Sequence, residues 1–200
     1  MLNKSELLSQ PIEHIDITAL DVRPLVNQME HMAFTARELH RAASIYDRML
    51  RDTECGVILC LAGSLISAGL QQVIVQMLKS RMVDAIVSTG ANMIDQDFFE
   101  ALGFRHYIAP EVLKCGMNDG ELRDLHIDRI YDTLIDEDQL RICDETMKQL
   151  ADALPPRPYS SRELLEVCGR YLVEQGAGEG SIIRTCYEMR VPIFCPAFSD

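Results

Sequence analysis

Two runs of small residues mark the places where this chain could bind a ligand. Ala62-Gly63-Ser64 follows one apolar run, and Ser88-Thr89-Gly90-Ala91-Asn92 follows another. Glycine lets a backbone approach a ligand closely, and the hydroxyls of Ser64 and Ser67 can donate hydrogen bonds to a phosphate. A helix opening at the first run would add free N–H groups and the positive end of its dipole. Without a GxGxxG fingerprint or a P-loop lysine, a phosphate site and a plain tight turn are equally supported.

Two carboxylates follow the second run within about one helical turn. Asp95 and Asp97 could accept hydrogen bonds from ribose hydroxyls or hold an amine. The alternative for Asp95, which spacing alone slightly favours, is a helix N-terminal charge stabilised by the dipole. Two small-residue turns on neighbouring strands favour a ligand of dinucleotide size.

Histidine, serine and cysteine patterns predict neither a metal site nor a nucleophile. The five histidines form no HxxxH or HExxH pattern and are interpreted as surface or packing residues, and no serine lies in a GxSxG elbow. The seven cysteines are odd in number and lack CxxC spacing, which predicts buried thiols in a reducing compartment. Cys195 is interpreted as a packed strand residue.

The segment from Gly56 to Asp95 predicts the βαβ unit that would position both runs. Apolar stretches at 56–61 and 82–87 predict parallel strands, and the positions between them have the spacing of one helical face: Ile66, Leu70, Val73, Ile74, Met77 and Leu78. Both turns then lie at the carboxyl ends of adjacent strands, where open α/β sheets bind ligands.

The flanking segments predict helices and one more parallel strand. Thr35 with Glu38, and Ser160 with Glu163, have the spacing of capping boxes, and Phe34 with Leu39 that of a hydrophobic staple. Further predictions are a helix from Asp95 to a stop at Gly103, irregular chain at 104–120, a strand or hairpin arm at 126–135, helices from Asp136 and Ser181, and a strand at 191–194.

The predicted fold class is therefore α/β, with a doubly wound parallel sheet truncated after the third core strand. Residues 1–32 form a polar lead-in, and three strands are fewer than such a sheet needs, so we expect 1–200 to be the N-terminal part of a larger domain.

Charge and hydropathy exclude two classes of partner. The formal net charge is −12, whereas nucleic-acid binding depends on clustered Lys and Arg. No apolar run approaches the roughly 20 residues that span a bilayer, and the N-terminus lacks the apolar core of a signal peptide. We expect a cytoplasmic protein that binds neither nucleic acid nor membrane.

The ordered motifs of the chain resemble the deoxyhypusine synthase family, in particular its bacterial deoxyhypusine synthase-like branch. The resemblance is carried by AGSLISAGLQQVIVQMLKSRMVDAIVSTGAN, VPIFCPAFSD, PIEHID, DFFEALGF, RIYDT and LPPRPYSSRE. It implies a Rossmann-like fold, a homotetramer built from tight dimers, and NAD as cofactor. It also implies oxidation of spermidine and transfer of its aminobutyl group, through a lysine imine, to a protein lysine or to a diamine such as putrescine.

Carried onto this sequence, the resemblance implies a set of NAD-binding residues. The first loop would comprise Gly63, Ser64, Leu65, Ile66 and Ser67, and the second Thr89, Gly90 and Ala91, with Asp200 as a further contact. Asp95 would bind NAD and substrate, with Asp97 as the alternate substrate acid, because the region carries a one-residue insertion relative to the family.

No lysine here matches the imine-forming position, so the resemblance implies no catalytic residue in this chain and inactivity of the 200 residues alone. Two alternatives stay open. One is a non-catalytic subunit that pairs with a catalytic paralogue, and the other is an enzyme of the same fold acting on another amine, such as putrescine or agmatine.

Overall fold

The computed structural model describes residues 3–14, 16–19, 21–110 and 118–198, which form helices around two small sheets. The strands are β1 Ile58–Cys60, β2 Ala85–Thr89, β3 Tyr107–Ile108, β4 Ile127–Ile130, β5 Thr133–Asp136 and β6 Ile193–Ala197. The helices are α1 Lys4–Leu7, α2 Arg23–Gln28, α3 Thr35–Arg51, α4 Gln71–Lys79, α5 Phe99–Ala101, α6 Asp119–Asp124, α7 Glu137–Asp152, α8 Ser161–Glu174 and α9 Ile182–Met189. A π-helix at Ala91–Phe98 precedes α5, and short 3-10 turns lie at Ile17–Ala19 and Met29–His31.

The parallel sheet has the order β1-β2-β6, which confirms the α/β class and the βαβ unit. Leu59 pairs with Ile86, and Ile86 pairs with Ile193, so these three side chains form one row across the sheet. The third strand ends later than predicted, because β6 continues through Pro196 to Ala197. The carboxyl ends of all three strands therefore meet at one edge.

The two faces of this sheet differ in burial. Ile86, Ile193 and Cys195 are buried in the main core, together with side chains of α4, α8 and α9. On the opposite face Ile58 is 63% exposed and Phe194 40% exposed. Parallel sheets are normally covered on both faces, so the described residues cover only half of this one.

The second sheet is antiparallel, with the order β3-β5-β4. Strands β4 and β5 form a hairpin, which confirms the predicted hairpin arm at 126–135. The prediction of irregular chain at 104–120 is wrong where β3 and the start of α6 lie, while residues 111–117 fall outside the described residues. The short β3 forms because Tyr107 and Ile108 pair with Leu134 and Thr133 of the hairpin.

The predicted helix caps have mixed outcomes. Ser160 and Glu163 form the predicted capping box of α8. The box predicted at Thr35 is wrong, because Phe34 adopts φ +56° as the N-terminal cap residue and Thr35 is already the first residue of α3. The staple is wrong as well, since Phe34 is 90% exposed.

Four of the six described cysteines are buried, Cys55 is half-buried and Cys60 is exposed. Cys143, Cys168, Cys186 and Cys195 are buried, and burial raises the pKa of Cys143 and of Cys168 to about 12. Cys60 is exposed on the open sheet face, which corrects the expectation of burial there, and Cys115 lies outside the described residues. Of the helices described, none has the length and apolarity needed to cross a membrane.

Candidate cofactor-binding site

The first loop, residues 62–70, connects β1 to α4 and contains a single helical turn. Ala68 N donates to Ser64 O, Leu70 N to Leu65 O and Gly69 N to Ile66 O, and Gly69 has φ +85°. These last two bonds with a left-handed glycine form a Schellman motif, which ends a helix. The expected continuous helix opening at Ser64 is therefore wrong, and α4 begins only at Gln71.

The side chains of this loop divide into an exposed tip and a buried base. Gly63 has φ +78°, and a Cβ placed there would meet no atom within 4 Å. Ser64 and Leu65 are half-buried, whereas Ile66 and Ser67 are 0% and 2% exposed. Ser67 Oγ donates to Ser64 O at 3.0 Å, so its hydroxyl is used inside the loop. A ligand would meet Gly63 and Ser64 first.

The second turn passes from β2 directly into the π-helix. Gly90 is its N-terminal cap residue, and the helix begins four residues earlier than the predicted start at Asp95. A Cβ on Gly90 would lie 1.9 Å from the backbone oxygen of Phe198, so only glycine fits between the turn and the end of β6. A π-helix holds more residues per turn than an α-helix and is frequent at functional sites. It is a natural place for the one-residue insertion that the resemblance implies.

Two amide side chains of the π-helix hold the first loop. Leu65 N donates to Asn92 Oδ1 and Ser67 N donates to Gln96 Oε1, each at 3.1 Å. Asn92 Nδ2 also donates to Thr89 Oγ1 at 3.3 Å. Asn92 is therefore bonded to both loops. Sequence reasoning missed Asn92 and Gln96, although their spacing of four places them on one helix face.

The two candidate acids have opposite environments. Asp97 is 0% exposed and accepts from four donors: Gln71 Nε2 at 2.9 Å, Ser181 Oγ at 2.7 Å, Ile182 N at 2.8 Å and Ile183 N at 2.9 Å. It thus binds the N-terminus of α9, where the helix dipole favours an anion.

Asp95 is only partly buried. Burial, followed by the nearby charge of Asp144, raises the pKa of Asp95 to about 6. At neutral pH it is mostly ionised, and its side chain is the more accessible of the two acids.

The structure brings together most of the residues that the sequence analysis singled out. Gly63–Ser67 and Thr89–Ala91 lie at the carboxyl ends of paired strands, and Asp95 follows on the π-helix. Asp97 lies in the interior behind them. Asp200 falls outside the described residues, which run as far as Phe198, beside Gly90.

A second polar cluster joins the N-terminal segment to the core. Glu100 Oε2 lies 2.6 Å from His14 Nε2, and Glu100 Oε1 lies 2.8 Å from His106 Nδ1. Burial alone would lower the pKa of His14, but the Glu100 carboxylate raises it above its ordinary value. Ile12 N donates to His106 O at 2.8 Å alongside. These histidines pack the lead-in segment against the domain.

Comparisons with known proteins give a consistent relationship. The family model described as deoxyhypusine synthase matches residues 24–200. A deoxyhypusine synthase-like protein of Chlorobaculum parvum is 58% identical over 199 residues, which is 100% of this chain and 56% of that protein. One of Coxiella burnetii is 52% identical over 98% of this chain and 55% of its own length. The chain thus spans about half the length of these curated relatives.

A solved structure supports the fold independently. A protein from Entamoeba histolytica, assigned as a deoxyhypusine synthase, superposes with a TM-score of 0.56. The match covers 93% of this chain and 62% of that one. At 16% identity, it supports the fold alone.

Proposed function

Since this chain belongs to the deoxyhypusine synthase family, we propose that it forms the NAD-binding part of an NAD-dependent aminobutyltransferase. The proposed reaction oxidises spermidine and transfers its aminobutyl group to an amine, either a protein lysine or a diamine. The observation that carries the proposal is the pair of loops at the carboxyl ends of β1 and β2, tied together by Asn92. The proposed protein is a cytoplasmic homo-oligomer in which residues beyond this chain supply the catalytic lysine.

The donor set of the two loops fits a dinucleotide. Gly63 leaves open space for close approach, Ser64 and Thr89 offer hydroxyls, and the π-helix begins at the end of β2. Backbone N–H groups and hydroxyls suit phosphate and ribose oxygens, which are acceptors. Ser67 and Ile66 would support the loop from inside, and Ala91 and Leu65 would line it. Bound NAD would take up the hydride released when the amine is oxidised.

Asp95 is the proposed anionic contact of this site. Its partly buried carboxylate can accept from ribose hydroxyls or bind an ammonium group of the polyamine. Partial burial would strengthen such an ion pair, because the local dielectric is low. Asp97 would act from behind by fixing the π-helix against α9, since its oxygens already accept four hydrogen bonds. Asp200 is proposed as a further NAD contact.

Isothermal titration calorimetry with NAD tests the cofactor half of the proposal. We expect Thr89→Val and Asp200→Asn to weaken binding on the order of tenfold, because each removes a hydrogen bond in a partly dry site. Asn118→Ala, which removes the cap of α6 beside the antiparallel sheet, should leave the affinity unchanged. Absence of NAD binding to the unaltered protein would refute the proposal.

Spermidine-dependent formation of NADH by the native full-length protein tests the reaction. A second candidate is the same chemistry on another amine. The four hydrogen bonds of Asp97 favour it, because of the two acids on the π-helix they leave Asp95 alone to bind an ammonium group. A panel of spermidine, putrescine and agmatine separates the two, and strict preference for spermidine counts against the second.

A further inference from the structure

We propose that Asn92 and Gln96 are positioning residues that hold the first loop against the second turn in the shape that binds NAD. This inference rests on the proposed function, since it concerns the same two loops. Both side chains lie inside the protein, with Asn92 0% and Gln96 2% exposed. Neither reaches a ligand, so each would act through the loop it holds.

The backbone of the first loop depends on these two amides. Its helical turn from 64 to 68 is too short to satisfy its own N–H groups, because the first four amides of any helix lack internal partners. Asn92 Oδ1 accepts from Leu65 N, and Gln96 Oε1 accepts from Ser67 N. Buried donors left unpaired are costly, so each acceptor holds the part of the loop whose N–H group it accepts. These two N–H groups are consequently closed to a phosphate.

Asn92 also orients the hydroxyl that a ligand would meet. Its backbone N and its Nδ2 both donate to Thr89 Oγ1, at 3.4 Å and 3.3 Å. A hydroxyl has two acceptor lone pairs and one proton. With both lone pairs facing Asn92, the Thr89 hydroxyl has its proton left to donate to a ligand. The geometry therefore assigns Thr89 as a donor, with phosphate or ribose oxygen as the group it recognises.

Amide hydrogen exchange measured residue by residue on the NAD-free protein tests the loop first. In Asn92→Ala, the Leu65 amide should lose protection while the Ser67 amide keeps it. In Gln96→Ala the pattern should reverse. The conservative changes Asn92→Asp and Gln96→Glu keep an acceptor oxygen at each position and should restore protection. Asn118→Ala is the matched control, because Asn118 also caps a backbone amide, that of Glu121, far from the loops.

Measurements of NAD affinity then distinguish a positioning role of Asn92 from a purely structural one. We expect Asn92→Ala to weaken NAD binding about tenfold. Combining it with Thr89→Val should add much less than the sum of the two effects, because both act on one hydroxyl. Asn92→Asp should be intermediate, since it keeps the Leu65 bond and loses the Nδ2 donor. Asn118→Ala should leave affinity unchanged even where it lowers the melting temperature.

The outcomes distinguish this inference from the proposed function. If the unaltered protein fails to bind NAD, the proposed function fails and the positioning role fails with it, even where the exchange pattern is as expected. If NAD binds and the two amides respond as expected, but Asn92→Ala binds as tightly as the unaltered protein, the positioning role alone is overturned. Unchanged protection of Leu65 in Asn92→Ala and of Ser67 in Gln96→Ala would overturn it directly.

Discussion

The two loops at the carboxyl edge of the parallel sheet are neighbours in space but are built by different means. The chain takes ten residues, 61–70, to pass from β1 to α4, and two amides of this first loop donate to side chains of another element. The second continues β2 straight into a helix, and the backbone of Phe198 lies against its Gly90. We call the first loop the suspended loop, because side chains of another element hold its amides, and the second the clamped turn, because backbone packs against it.

This difference assigns the two loops different parts in a binding event. The exposed tip of the first loop can adjust when a ligand binds, because a Cβ at Gly63 would meet no atom within 4 Å. A turn packed against backbone resists change and serves as the reference surface. The π-helix contacts both loops. It continues directly from the clamped turn, and its Asn92 and Gln96 accept hydrogen bonds from the suspended loop.

The largest expected effect comes from loosening the π-helix through Asp97→Ala. Four donors of α4 and α9 would lose their buried acceptor, and the free energy of unfolding should fall by about 3 kcal/mol. Urea unfolding measures the change. Because both loops depend on this helix, Leu65 and Ser67 should lose exchange protection together. Asp95→Ala is the control on the same helix, and an equal loss there would contradict the distinction between the two acids.

A smaller effect contrasts the clamped turn with the suspended loop. Gly90→Ala places a Cβ 1.9 Å from Phe198 O, so backbone must move, at a cost of about 2 kcal/mol. Gly63→Ala has open space but a left-handed φ of +78°, and we expect roughly 1 kcal/mol from backbone strain alone. Thermal unfolding measures both variants. A larger loss at Gly63 than at Gly90 would reverse the comparison.

Sequence patterns predicted the existence and order of the three parallel strands, although not their ends, because apolar runs that stop at small residues depend only on local chemistry. They did not predict the break before α4. The apolar spacing of Ile66, Ile74 and Leu78 continues across Gly69, and the Schellman motif is visible only once Leu70 is seen to bond back to Leu65. The family prediction is confirmed by the match over 24–200.

The π-helix and its contacts lay beyond sequence reasoning for a physical reason. Its hydrogen-bond pattern changes which residues share a face, so spacing could name Asp95 and Asp97 but could not tell which is buried. Asn92 and Gln96 bond to residues 27 and 29 positions upstream. Such partners are fixed by how strands and helices pack rather than by local pattern.

The smallest expected effect concerns the pH dependence of Asp95, whose carboxylate lies near Asp144 of α7. Its pKa is about 6 in the folded chain against an ordinary 3.8. Between about pH 4 and pH 6 the folded state therefore binds more protons than the unfolded state, and the free energy of unfolding falls as pH rises through that window. Above about pH 6 the destabilisation caused by ionised Asp95 is complete. Asp95→Asn cannot ionise, so at pH 7 it should be more stable by about 1 kcal/mol, a figure reduced for solvent screening.

Urea unfolding at several pH values checks this expectation, with Asp144→Asn as the matched control. Asp144 is the second cause of the raised pKa, after burial, so its removal should recover only part of the gain. At pH 4, where Asp95 is protonated in the folded chain, Asp95→Asn and the unaltered protein should have nearly equal stability. A gain that does not change with pH would mean that packing, rather than charge, distinguishes this acid from Asp97.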